Sequence, residues 1–130
     1  MKLKKSIVLT LVAASLALAG CSDYKSSYSA TSHIEVFTDD SAEISFGSLQ
    51  GTEAVKIGED MKDFSLEYDA ELGEGSITVY YDNDGTKKEL FKLESGEKAD
   101  SEIELEAGPV NIILETDGEC KEGDFEFKIK

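Results

Sequence analysis

The stretch Ser76-Ile77-Thr78-Val79-Tyr80-Tyr81-Asp82-Asn83-Asp84-Gly85 decides the fold. Ile77, Val79 and Tyr81 recur at every second position, which puts them on one face of a β-strand. The residues that follow tolerate positive φ, and Asp-Gly after an apolar run is the strongest short-range hairpin signal a sequence carries. A return strand is therefore expected from Thr86 to Leu93. Leu90, Phe91 and Leu93 do not keep one parity, so its inward face stays open.

Working outward, the same alternation repeats. Before the hairpin, Phe64, Leu66 and Tyr68 alternate, with Glu71 to Gly75 as the connection. Earlier still, Ile44 and Phe46 are expected to turn near Gln50-Gly51 into a strand carrying Val55 and Ile57, and Gly58 to Lys62 reads as a polar connection. Ile34 and Val36 form the first alternating pair, ended by Asp39-Asp40-Ser41. After the hairpin, Ser95 to Ser101 reads as a connection. Ile103 and Leu105 then alternate with Glu102, Glu104 and Glu106, and Gly108-Pro109 punctuates. Val110, Ile112 and Leu114 give the next strand, and Asp117 to Asp124 a loop. Phe125, Phe127 and Ile129 close the chain. No window has a helical period. Eight or nine short strands, each with one wet face, predict an all-β, antiparallel two-sheet sandwich of jelly-roll type over residues 33–130.

The N-terminus carries a different signal. Lys2, Lys4 and Lys5 precede the apolar run Ser6 to Ala19, which ends in Leu18-Ala19-Gly20-Cys21. This run is too short to span a bilayer, which takes about 20 apolar residues, but it suits the middle of a secretory signal. Leu18 to Cys21 resembles the processing site of a bacterial lipoprotein. The resemblance implies that residues 1–20 are a signal peptide and that Cys21 receives a diacylglyceryl group and becomes the first mature residue. A cell-membrane protein, lipid-anchored on the extracytoplasmic face, is the expectation. Residues 22–32, SDYKSSYSATS, lack apolar periodicity and read as a flexible tether, with a reach of roughly 17 to 20 Å.

Further along, Phe46 to Gly51, Val55-Lys56-Ile57-Gly58, Phe64-x-Leu66-x-Tyr68, Gly75-x-Ile77-x-Val79 leading to Asp84-Gly85, and Gly123-x-Phe125-x-Phe127-x-Ile129 resemble the small β-sandwich lipoproteins of Gram-positive bacteria. The similarity covers most of residues 43–130. More distantly, the layout resembles jelly-roll modules of the pre-peptidase C-terminal type. The paired aspartates of that family are replaced here by Glu74-Gly75-Ser76, so no functional residue carries over and the resemblance implies a fold rather than an activity.

Composition narrows the function. The chain has 28 acidic and 13 basic residues and a formal charge of −15. Removing residues 1–20 takes three lysines and no acid, leaving 10 against 28, or −18. Such a charge disfavours nucleic acid as a partner. Every basic residue is Lys, so the bidentate clamp that phosphoryl chemistry favours is missing. Cys120 has no partner if Cys21 is lipidated, and neighbouring acids disfavour its thiolate; it reads as a loop residue.

Asp82, Asn83 and Asp84 are the densest set of oxygen ligands beside a turn and the first metal candidate, for Ca²⁺, against the alternative of a solvated hairpin tip; Asp39-Asp40 and the Glu119 to Asp124 loop have the same status. An EF-hand is excluded, because its glycine position holds Lys87. Glu102, Glu104 and Glu106 offer the carboxylate spacing a glycosidase needs, yet also describe an ordinary wet strand face. His33 is the only histidine and reads as structural. Tyr80 is the one strand tyrosine expected to face outward, a thin basis for sugar stacking. No catalytic set emerges and no cofactor is expected beyond the diacylglycerol on Cys21. The expectation is a monomeric, non-enzymatic binding or accessory module of the cell envelope, its partner an envelope protein or a glycan. The alternative is a calcium-dependent domain binding carbohydrate or cell-wall polymer.

Overall fold

The computed structural model describes residues 24–58 and 64–130. The expected signal peptide, Cys21 and the first residues of the expected tether lie outside the described residues. Nine strands run in order: β1 (Ser27–Thr31), β2 (Ile34–Phe37), β3 (Ser41–Ile57), β4 (Phe64–Glu74), β5 (Ser76–Asp82), β6 (Lys88–Glu94), β7 (Lys98–Leu105), β8 (Val110–Thr116) and β9 (Cys120–Ile129). All pairings are antiparallel, in the order β6-β5-β8-β3-β9-β4-β7, with β1 and β2 both laid along β3. The all-β antiparallel sandwich is thus the fold the alternation predicts.

Its hinge is β3. Seventeen residues at about 3.3 Å each make a strand too long for one layer of so small a sandwich, so β3 serves both. Its first half pairs with β9 from Ser41 to Leu49, and its second half pairs with β8 from Thr52 to Ile57. The change of partner falls at Gly51, whose φ of 125° is open to glycine alone, and a Cβ there would meet the Ser27 carbonyl oxygen at 2.3 Å. A bend of this kind is how a strand switches sheets at a sandwich corner. The turn expected at Gln50-Gly51 is therefore a kink within one strand.

The two layers close on an aromatic stack. Phe91 of β6 lies over Tyr68 of β4 at 4.8 Å and reaches Phe125 and Phe127 of β9 at 6.4 and 6.5 Å, while Phe46 of β3 stacks on Phe125 at 6.0 Å. A register shift between Val79 and Tyr80 settles the face of β6, left open by its sequence. Leu93 is fully buried, and both Leu90 and Phe91 pack against the core. The hairpin joining β5 and β6 forms as expected, with Gly85 at φ 98°.

Four boundaries differ from the sequence reading. β4 runs on to Glu74, through the connection expected from Glu71 to Gly75, because Glu71 to Glu74 pair with β9. Residues 27–31, assigned to a flexible tether, form β1, paired from Ser27↔Thr52 to Thr31↔Ser48. Main-chain pairing with β3 orders this largely polar segment, with Ala30 packed against the core, and the sandwich consequently begins before residue 33. β7 starts at Lys98, inside the expected connection, because Lys98 to Ser101 pair with Glu71 to Tyr68. β9 starts at Cys120, inside the expected loop. Cys120 is fully buried, its thiol donates to the Ser76 carbonyl at 3.2 Å, and burial pushes its pKa up, so it is a core residue with an inert thiol.

Candidate functional site

Ionisable side chains converge where the β1–β2 connection crosses β3. Glu53 follows the corner at Gly51 and shares its parity with Val55 and Ile57, so alternation turns its side chain inward. It is 0% exposed. The connection above it turns at Ser32, which takes a left-handed φ of 49°, and this delivers His33 to the edge of the sandwich. The His33 Nε2 lies 2.9 Å from the Glu53 Oε2. β2 then places Glu35 opposite Ile44, and one ligand atom from each of His33, Glu35 and Glu53 falls within 4.8 Å of the others. The Tyr28 ring packs on the imidazole at 5.1 Å.

The electrostatics of this cluster are unbalanced. Glu53 Oε1 is buried and has no hydrogen-bond partner among the described residues, a condition that is rare in native interiors and costly for a carboxylate. Burial first, and then the adjoining Glu35 carboxyl, hold the Glu53 pKa well above the ordinary carboxylate range. The phenol of Tyr28 is shifted up as well, by burial and by Glu53 and Glu35.

The residues singled out in the sequence fall elsewhere. Asp82 is 6% exposed; its Oδ1 accepts the Gly85 amide at 2.7 Å and its Oδ2 the Tyr24 hydroxyl at 2.6 Å. The Asn83 amide group bridges to the main chain of Glu106 and Pro109. Asp84 accepts the Thr86 amide at 3.0 Å and the Lys88 ammonium at 3.2 Å. All three tie the β5–β6 turn to its surroundings, and both oxygens of each aspartate already accept a hydrogen bond. Glu102, Glu104 and Glu106 are exposed, as expected of a wet face. Tyr80 is half-buried, with the Lys87 ammonium 4.4 Å above its ring, and Lys87 also pairs with Glu115.

Glu35 and Glu53 went unremarked in the sequence. The signal for Glu53 was there, a charged residue in phase with the apolar positions 55 and 57; none exists for Glu35, which alternation shows only as polar.

A second feature adjoins the first. β2 is exposed along its length, with Ile34, Val36 and Phe37 at 60, 55 and 52% exposure. Exposed acids, Glu35, Asp39, Asp40 and Glu43, stand around these apolar side chains.

No family profile and no curated protein matches the chain. Among solved structures it is similar to TmCBM61 in complex with β-1,4-galactotriose (17% identity over 75% of this chain and 66% of that one, TM-score 0.36). It is also similar to a family 29 carbohydrate-binding module (13% identity, 81% and 83% coverage, TM-score 0.36) and to the Drosophila melanogaster CENP-C cupin domain (13% identity, 76% of each chain, TM-score 0.33). Likeness at this level concerns strand architecture and says nothing of ligands. The resemblance to Gram-positive lipoproteins and to pre-peptidase modules rests on sequence motifs alone.

Proposed function

We propose that the protein is a lipid-anchored, non-enzymatic module on the outer face of a cell membrane that docks an envelope protein by strand addition to β2. The anchor is Cys21, on the strength of the motif Leu18 to Cys21 behind a basic, apolar leader. The observation that carries the docking function is the apolar exposure of β2. An edge strand left with an apolar face is a template for another strand, and backbone pairing with alternate side chains is an established mode of peptide recognition. The acidic frame around Ile34, Val36 and Phe37 repels a second copy of this chain, which has a charge of −15. It fits instead an extended apolar segment flanked by lysine or arginine.

Sugar binding is the weaker reading, because Lys87 covers the one outward strand tyrosine that the sequence offered. Calcium at Asp82, Asn83 and Asp84 has less support than the hydrogen bonds those groups already make.

A photo-activatable residue at position 36 of the full chain, expressed in cells, tests the docking surface. The expected result is a discrete adduct to a basic, apolar segment of another envelope protein, lost on Ile34→Lys and absent when the probe is moved to position 104. No adduct, an adduct only to a second copy, or equal yield from position 104 would overturn it.

A further inference from the structure

We infer that His33, Glu35 and Glu53 form a binding site for a divalent cation of the zinc class, joining the β1–β2 connection to β3. Three observations carry this, none of which depends on the docking reading. The first is geometric: one imidazole nitrogen and two carboxylate oxygens already stand within 4.8 Å of one another. Ligands held about 2.0–2.2 Å from a zinc ion lie closer together than that, and Glu35 is exposed and free to move the remaining distance.

The second is the orphaned Glu53 Oε1, in a side chain that is 0% exposed. A buried carboxylate oxygen without a donor marks a place where a positive ligand is missing from the balance of interactions. The third is charge. Ionised together, two carboxylates this close repel one another, whereas a dication neutralises both at once.

The donor set also chooses the metal. Calcium prefers six to eight oxygens, and an imidazole is a poor ligand for it. One nitrogen and two oxygens suit Zn²⁺, leaving a fourth position for water. Such an ion would fix His33 and Glu35 to Glu53 and so clamp β2 at its N-terminal end.

The test is titration of the full chain, purified in detergent and freed of metal with a chelator, with Co²⁺ alone as the spectroscopic probe. The expected result is saturable visible absorption at one Co²⁺ per chain, displaced by Zn²⁺ and not by Ca²⁺. Glu35→Gln, at an exposed position, and His33→Gln, which keeps a polar side chain beside Glu53, should each weaken binding by about 10- to 100-fold or more, the range seen when even the outer partners of a metal are removed. Zn²⁺ should raise the melting temperature of the parent and not of either variant. No saturable absorption, displacement by Ca²⁺, or affinity that either substitution leaves unchanged would overturn the inference.

Discussion

Glu53 concentrates the physical tension in this molecule. Burial, and then Glu35, oppose ionisation of its carboxyl, with His33 and Tyr28 as its other neighbours. Its folded pKa lies above its ordinary value of 4.5, so the folded state keeps a proton that the unfolded state releases. The contribution to stability is full below that ordinary value and is lost as pH rises toward the folded pKa. In chelator, the parent should therefore lose melting temperature relative to Glu53→Gln as pH climbs from about 5 to 8; parallel melting curves for the two would contradict this. A second residue is constrained by space. A Cβ on Gly123 would stand 2.2 Å from the Phe46 ring, which is itself stacked on Phe125. Gly123→Ala should destabilise by about 1–3 kcal/mol in denaturant unfolding, the usual range for an overfilled core. Neither constraint is visible in isolation: the sequence shows Glu53 in phase with Val55 and Ile57, but the residues that crowd it arrive from 18 and 20 positions away.

At the level of elements, the alternating strands were legible because each buries one face. The failures have different physical causes: a glycine permits positive φ both in a turn and in a kink, and sequence alone does not separate the two. Gly51 was read as a turn and is the corner of a continuous strand. β1 is hard to see in the sequence because both its faces are largely exposed and it is placed mainly by backbone pairing with β3. Gly51→Ala should strain the corner and drive a Cβ into β1. The expected consequence is faster amide exchange from Ser27 to Thr31 than in β9, measured by hydrogen–deuterium exchange; uniform exchange across the two would count against β3 as the shared strand. By contrast, Ile34→Lys and Val36→Lys change only exposed positions on β2. Each should shift stability by less than about 0.5 kcal/mol, and a larger loss in thermal unfolding would mean that β2 is part of the core.

For the molecule as a whole, a charge of −15 spread over 130 residues means self-repulsion in the compact state. Raising the salt from low to physiological strength should raise the melting temperature, since screening shortens the reach of that repulsion to about 8 Å. On the proposed anchor, the same charge would disfavour binding to anionic headgroups, so attachment would rest on the lipid. Tyr24, the first described residue, is held by its hydroxyl to Asp82, and it stands three positions after Cys21, so the sandwich would lie close against the bilayer rather than at the end of a long tether. Sequence was strongest at this scale for the fold, where alternation is a local pattern. It was weakest for the candidate site, which exists only once β1 and β2 fold back over β3.

The claim on which the functional account turns is the anchor. Intact-mass analysis of the N-terminal peptide of the protein isolated from its membrane tests it directly. The account expects Cys21 as the first residue, bearing a diacylglyceryl thioether; a mature N-terminus at any other residue, or an unmodified Cys21 thiol, would contradict it.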